Sequence, residues 1–239
     1  MESVQIDFLY NVELKEIFME IDNILNRIKS SKIIAVIRAN DPDIVRELAR
    51  AYVHGGIKVI ELTTSIPNWK TVLADVLDDI QDEALIGLGT VTSPYDAADA
   101  IRLGARFIVT PYVSMEVIEQ VDTDTSVPVI PGALTPSEIA QAYEFGANMV
   151  KVFPISAVGG PEYIKALLSP MPDWELIPTG GVTPENAVDF IKAGAVAVGL
   201  GSNLAPKELV KAENYPAIAH HIRNFVDSFN NEIKEGGSK

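Results

Sequence analysis

Eight short β-branched runs recur along this chain, each followed by a longer stretch of helical periodicity, and no other feature narrows its fold as much. The runs are IIAVI (33–37), KVIEL (58–62), ALIGL (84–88), RFIVT (106–110), VPVI (127–130), NMVKVF (148–153), ELIP (175–178) and VAVGL (196–200). Apolar runs of this length, bounded by Gly, Pro, Ser, Thr or Asn, read as buried strands, and their alternation with helices reads as a series of βα units. Eight units predict an α/β fold, a (β/α)8 TIM barrel, and 239 residues is an ordinary size for one such domain. The segments HGGIKVI, RLGARFI, EFGANMV and KAGAVAV each put glycine where a helix would end in a left-handed residue before the next strand. An open doubly wound sheet is the alternative. It would usually carry a glycine-rich fingerprint after its first strand, whereas here that turn reads RANDP.

The barrel is expected to span 33–230, preceded by an additional N-terminal helical extension over 1–32 and followed by a polar tail, 231–239, that ends EGGSK and frays. Within the extension, VELKEIFMEIDNILNRI has apolar residues at helical spacing, so it is expected to pack across the closed end of the barrel. A partner-binding helix is the other reading. The formal net charge of -14 argues against a nucleic-acid partner, which needs clustered Lys and Arg. With no Cys there are no disulfides, thiolate metal sites or cysteine nucleophiles. The start, MESVQIDFLYNVELKE, has neither a basic nor an apolar signal region, and no apolar run approaches the roughly 18 residues of a membrane span. A soluble, cytoplasmic protein is expected.

Active sites of such barrels lie at the C-terminal ends of the strands, so polar residues in the inward-facing register there carry the chemistry. In NMVKVF the two-residue period puts Met149, Lys151 and Phe153 on one face and Val150 and Val152 on the other. The valines suit the helix-facing layer, which points Lys151 inward. In KVIEL the same period groups Val59 with Glu61, against Ile60 and Leu62. An amine and a carboxylate then share one cavity, the pair required for carbonyl chemistry through an imine: the amine forms the electron sink and the carboxylate moves protons. Two plainer readings compete. Lys151 could snorkel to solvent from an edge strand, or the two could form a buried ion pair, in which the carboxylate would favour the ammonium over the reactive free amine.

PTGGVTPEN after the seventh strand and GLGSNL after the eighth form a second constellation. Gly180 and Gly181 permit close backbone approach, and helices beginning near Thr183 and Ser202 would offer free amides to a phosphate. Ordinary capped βα turns are the alternative.

With these pieces in hand, the sequence resembles the 2-keto-3-deoxy-6-phosphogluconate/4-hydroxy-2-oxoglutarate (KDPG/KHG) aldolase family, class I aldolases of the Entner–Doudoroff type. The likeness runs from Ile33 to Leu204 through AVIRAN, GGIKVIELT, IGLGTV, FIVTP, PVIPGALTPSE, VKVFP and PTGGV, in family order. The resemblance implies that Lys151 forms the imine and Glu61 is the general acid/base. It implies that Thr90 and Pro111 line the pyruvyl end of the pocket, with Phe153 packed beside the imine. Thr179 in PTGGV joins the substrate-binding set, and Gly180, Gly181 and Ser202 match the phosphate-binding end. No metal and no cofactor are implied, and a homotrimer is. The substrate would be a small 2-keto acid, phosphorylated in KDPG, cleaved to pyruvate and glyceraldehyde 3-phosphate; 4-hydroxy-2-oxoglutarate, giving pyruvate and glyoxylate, is a second candidate. Many members carry Arg four residues after the glutamate to hold the substrate carboxylate, where this chain has Ser65; Arg38 in AVIRAN is the expected replacement. The N-terminal extension is longer than in compact members. The competing functions are a phosphate-binding barrel isomerase or synthase with no imine, and a non-catalytic trimeric scaffold.

Overall fold

The computed structural model describes residues 2–122 and 126–236, with side chains over 15–122 and 126–235. Helix α1 (Glu2–Ser31) leads into β1 (Ile33–Ile37), α2 (Pro42–His54), β2 (Val59–Thr63), α3 (Trp69–Ile80), β3 (Leu85–Gly89), α4 (Pro94–Leu103), β4 (Ile108–Val109) and α5 (Met115–Asp122). The chain continues through β5 (Val129–Ile130), β6 (Gly132–Ala133), α6 (Pro136–Glu144) and β7 (Val150–Val152), then a short 3-10 turn (Ile155–Ala157) and α7 (Pro161–Leu168). It ends with β8 (Leu176–Pro178), α8 (Ala187–Lys192), β9 (Val198–Leu200), α9 (Lys207–Lys211) and α10 (Tyr215–Gly236).

All strand pairs are parallel, in the orders β5-β4-β3-β2-β1-β9 and β6-β7-β8. Two links close these arcs into a ring. The first lies at Pro131, which parts β5 from β6 because proline has no amide to give the ladder. Around it, the Gly132 amide turns to Thr110 Oγ1 at 3.3 Å, while the Pro131 carbonyl still accepts from the Lys151 amide at 2.9 Å. The second joins β8 to β9, where Thr179 bridges Gly199 and the Val196 amide donates to the Leu176 carbonyl at 3.1 Å. With β5 and β6 counted as one strand, the nine segments make the eight-stranded parallel barrel expected from the sequence. Regular pairing is shorter than the apolar runs suggested, only Ile108–Val109 within RFIVT.

The two faces of each strand feed two separate cores. Ile60, Leu62, Val150 and Val152 pack outward against the helices. Val59, Leu85, Phe107, Met149, Ile177 and Ala197 point inward and meet Ile24, Leu25 and Ile28 of α1, which lies across the N-terminal ends of the strands. Each fully buried side chain of this size contributes about 1.5–3 kcal/mol, so α1 is part of the barrel's core. Its flank is tied down by ion pairs of Lys29 with Glu175 and of Glu20 with Arg106. The four glycines that end helices before strands, Gly56, Gly104, Gly146 and Gly194, all have φ between 97° and 108°, the left-handed geometry that a Cβ disfavours.

Helix α10 continues through Gly236. Residues 231–236, read from sequence as part of a polar tail, are therefore its final turns, held in register by a helix whose inner face carries the buried Ile218, Ile222 and Phe229; 237–239 lie outside the described residues. Among the described residues no helix is long and apolar enough to cross a membrane.

Candidate active site

Above the apolar floor the barrel interior changes character. Lys151, flanked on β7 by two helix-facing valines, points inward, and its Nζ donates to Glu61 Oε1 at 3.2 Å. Their side chains are 10% and 3% exposed. A charged pair this enclosed needs room that neighbouring strands must concede. A Cβ on Gly89 would sit 1.9 Å from Glu61 Oε1, and one on Gly87 would sit 2.5 Å from the Phe107 ring. The glycines of IGLG therefore are space: one holds the carboxylate, and the other the floor's largest ring. Gly199 does the same for Thr179, whose Oγ1 lies 2.2 Å from where its Cβ would be.

Phe153, two residues after Lys151, stands at the rim with its ring centre 5.5 Å from Nζ and 38% of its surface exposed. Gly180 lies against that ring, where a Cβ would approach to 2.9 Å. The Ile155 and Ser156 amides donate to the carbonyls of Thr179 and Gly180 at 2.9 and 3.0 Å, which ties the segments after β7 and β8 together. Pro111 faces Gly132 across the next strand, with its backbone 2.4 Å from a notional Cβ there.

A second cluster forms on the other side of the mouth. Arg38 Nη2 donates to Thr90 Oγ1 at 3.2 Å. Thr90 has φ 58°, an uncommon conformation for a β-branched residue. Thr64 holds it there, its hydroxyl donating to the Thr90 carbonyl at 2.7 Å. Ser65, at the position where many family members have Arg, shares a hydrogen bond with Thr63 at 2.9 Å.

The structure thus places Lys151, Glu61, Phe153 and Gly180 in one connected group, Thr179 beside it, and Arg38 with Thr90 in another. Gly181 follows in the β8 turn with φ 104°. Two helix starts differ from expectation. Regular helix begins at Ala187 rather than near Thr183, and the Thr183 amide is not free, because Asn186 Oδ1 accepts it at 2.8 Å. Ser202 is exposed in a turn after β9, and the following helix begins only at Lys207, after Pro206. Any anion there would meet turn amides, not a helix end.

Sequence reasoning missed Thr63, Thr64 and Thr110. Thr63 was legible, since it continues the inward register of Glu61 and is buried. Thr110, also buried, donates to the Tyr112 carbonyl and accepts from Gly132; Pro131 was the available signal, because a proline in a strand leaves its neighbours to find other partners. The Thr64 contact joins residues far apart in sequence and carries no local signal. Among the described residues no group of three or more His, Asp or Glu side chains could hold a metal ion.

Comparison with known proteins bears on this arrangement. The family model for KDPG and KHG aldolase matches residues 24–221. A 2-dehydro-3-deoxy-6-phosphogalactonate aldolase from Escherichia coli is 39% identical over 173 residues, 72% of this chain and 83% of the relative. A 2-dehydro-3-deoxy-phosphogluconate aldolase from Pseudomonas aeruginosa is 30% identical over 221 residues, 92% and 97%. Among solved structures, a KDPG aldolase from Legionella pneumophila, with pyruvate captured at low pH as a covalent carbinolamine intermediate, aligns with a TM-score of 0.76 and 31% identity, covering 83% of this chain and 95% of that one. Matches this extensive, on a barrel with an amine and a carboxylate at its mouth, have one meaning: the chain belongs to the KDPG and KHG aldolase family, and it is an enzyme, a carbon–carbon lyase.

Proposed function

We propose that this enzyme cleaves a 2-keto-3-deoxy-6-phospho sugar acid by a Schiff-base mechanism centred on Lys151. The 3.2 Å contact between Lys151 Nζ and Glu61 Oε1 carries the reading. Glu61 takes a proton from Lys151, the freed amine adds to C2 of the keto acid, and the protonated Glu61 returns the proton so that the carbinolamine loses water to give the iminium. The C4 hydroxyl then gives up its proton, the C3–C4 bond breaks, and its electrons enter the iminium to form an enamine as the aldehyde departs. Protonation of the enamine at C3 and hydrolysis release pyruvate and regenerate Lys151. The carboxylate of the substrate is received by Arg38 and the Thr90 hydroxyl, which are already hydrogen-bonded, with Pro111 and Phe153 enclosing the pyruvyl end. Phosphate is received at Thr179, Gly180, Gly181 and Ser202. Binding energy from that remote group orients the scissile bond.

KDPG, yielding pyruvate and glyceraldehyde 3-phosphate, is the first substrate to test. The galacto epimer is the second, favoured by the 39% identity to a phosphogalactonate aldolase. The test is intact mass and peptide mapping after incubation with pyruvate and sodium borohydride, then aldol cleavage of both epimers. A reduced pyruvyl adduct on Lys151 is expected, and absence of any adduct on folded enzyme would exclude the imine. We further propose that the enzyme assembles as a homotrimer, which light scattering of the purified protein tests directly.

A further inference from the structure

Beside the mouth, between β1, α2 and α9, lies a cavity of about 240 Å³ that shares only Arg38 and Ser202 with the proposed reaction. Its walls are apolar, made by Ile37, Leu48, Ala205 and Val210. Tyr52 of α2 also lines it and is only 3% exposed. Among the described residues its hydroxyl has no hydrogen-bond partner, and no side-chain oxygen wholly sealed in the protein lacks one. The Tyr52 oxygen therefore opens onto the cavity. Burial pushes this phenol well above the usual tyrosine range, which keeps it a neutral donor. A buried hydroxyl facing a cavity offers a ligand one directional hydrogen bond.

Charge completes the site. Lys207 and Lys211 stand on α9 along the cavity, and Arg38 and Ser202 form the wall it shares with the barrel mouth. Lys211 is paired with Glu208 at 3.4 Å, yet Arg38, Lys207 and Lys211 still leave net positive charge beside an apolar cavity, in a chain of net charge -14, which favours an anion there. The volume is below the roughly 300–1,000 Å³ of pockets for drug-sized ligands, so the occupant is compact.

We propose that this cavity is a second ligand site, for a small organic monoanion with an apolar body and a hydrogen-bonding group that meets the Tyr52 hydroxyl, its acid group lying among Arg38, Lys207 and Lys211. Because Arg38 also serves the mouth through Thr90, occupancy draws on the guanidinium that receives the keto acid carboxylate. Occupancy therefore raises KM for the keto acid and leaves kcat unchanged. The KM effect rests on the aldolase reading; the binding itself does not.

The probe is 4-hydroxybenzoate, titrated calorimetrically into the enzyme and into Tyr52→Phe and Lys207→Ala, neither of which touches the reacting atoms. The expected result is saturable binding of one probe per chain, weakened about three- to tenfold by removing the Tyr52 hydroxyl. Enzyme whose Lys151 has first been reduced with pyruvate and borohydride should still bind the probe, but more weakly, because the pyruvyl carboxylate draws on Arg38 in return. In kinetics, the probe raises KM in the parent enzyme and has less effect in Tyr52→Phe, whose uninhibited kinetics match the parent. Absence of binding at millimolar probe overturns the proposal, as does binding indifferent to both substitutions. Binding abolished by the pyruvyl adduct would place the probe in the keto acid site and overturn it equally. Should borohydride leave Lys151 unlabelled, the imine reading fails on its own, and the dependence on Tyr52 is still read by calorimetry.

Discussion

The two ends of this barrel are built from the same eight strands by opposite means. At the N-terminal end, inward residues are apolar, and α1 adds Ile24, Leu25 and Ile28 to seal them. Two residues further along the same strands, the inward positions become Glu61, Gly87, Lys151, Thr179 and Gly199. The floor is apolar throughout. The mouth holds the charged pair and the polar contacts, and it leans on the floor, since Phe107 fills the place of a missing side chain at Gly87. Stability and chemistry are thus stacked along one strand direction rather than assigned to different domains.

This division can be tested by breaking each end. The largest effect is expected from Lys151→Ala, with kcat/KM for cleavage falling by roughly 10⁴ to 10⁶, the scale of deleting a covalent nucleophile. Because it strands Glu61, the double variant Lys151→Met, Glu61→Gln should be run beside it: equally inactive, and folded by circular dichroism. Glu61→Gln alone keeps the shape and should cost about 10²–10⁴ in kcat, measured with a coupled assay for pyruvate. At the floor, Phe107→Ala should cost about 3–5 kcal/mol in denaturant unfolding while turnover per folded molecule stays unchanged; a large loss in kcat with no loss of stability would collapse the distinction between the two ends. Thr64→Val removes the hydroxyl that holds Thr90, worth about 0.5–1.5 kcal/mol, and should raise KM for the keto acid several-fold with a smaller effect on kcat.

The smallest expected effect concerns Glu138, at the start of α6 near the mouth. The backbone amides of Thr135 and Leu134 hold its carboxyl below the usual range. A depressed pKa contributes stability at pH values above the unfolded carboxyl's, and that contribution disappears as pH falls through the folded value. Melting curves of Glu138→Gln should lie slightly below the parent's at neutral pH and converge with them in acid.

Much of this was written in the sequence, for a physical reason. A two-residue period in a strand with one face against helices leaves little freedom about which residues point inward, so Lys151 and Glu61 could be placed together before any coordinates. The glycine caps were equally legible, because a left-handed helix end restricts residue type. Contacts that depend on where the chain returns were not legible. Nothing local in ELTTS or GLGTV tells that the Thr64 hydroxyl reaches the Thr90 carbonyl, or that Arg38 reaches the Thr90 side chain. The turn TPEN deceived in a different way: Asn186 satisfies the Thr183 amide itself, a competition between side chain and helix that composition alone does not resolve.

The glycines opposite Glu61 and Thr179 constrain anyone who wishes to redesign this enzyme. The usual way to admit a bulkier substrate is to truncate a wall residue, yet at 87, 89 and 199 there is nothing left to truncate, and the vacated volume is already occupied by Phe107, Glu61 and Thr179. New room must come from the loops that follow the strands, around Ser65, Pro111 and Phe153. A mutant library aimed there changes which molecule fits, whereas one aimed at the strands changes whether the catalyst exists.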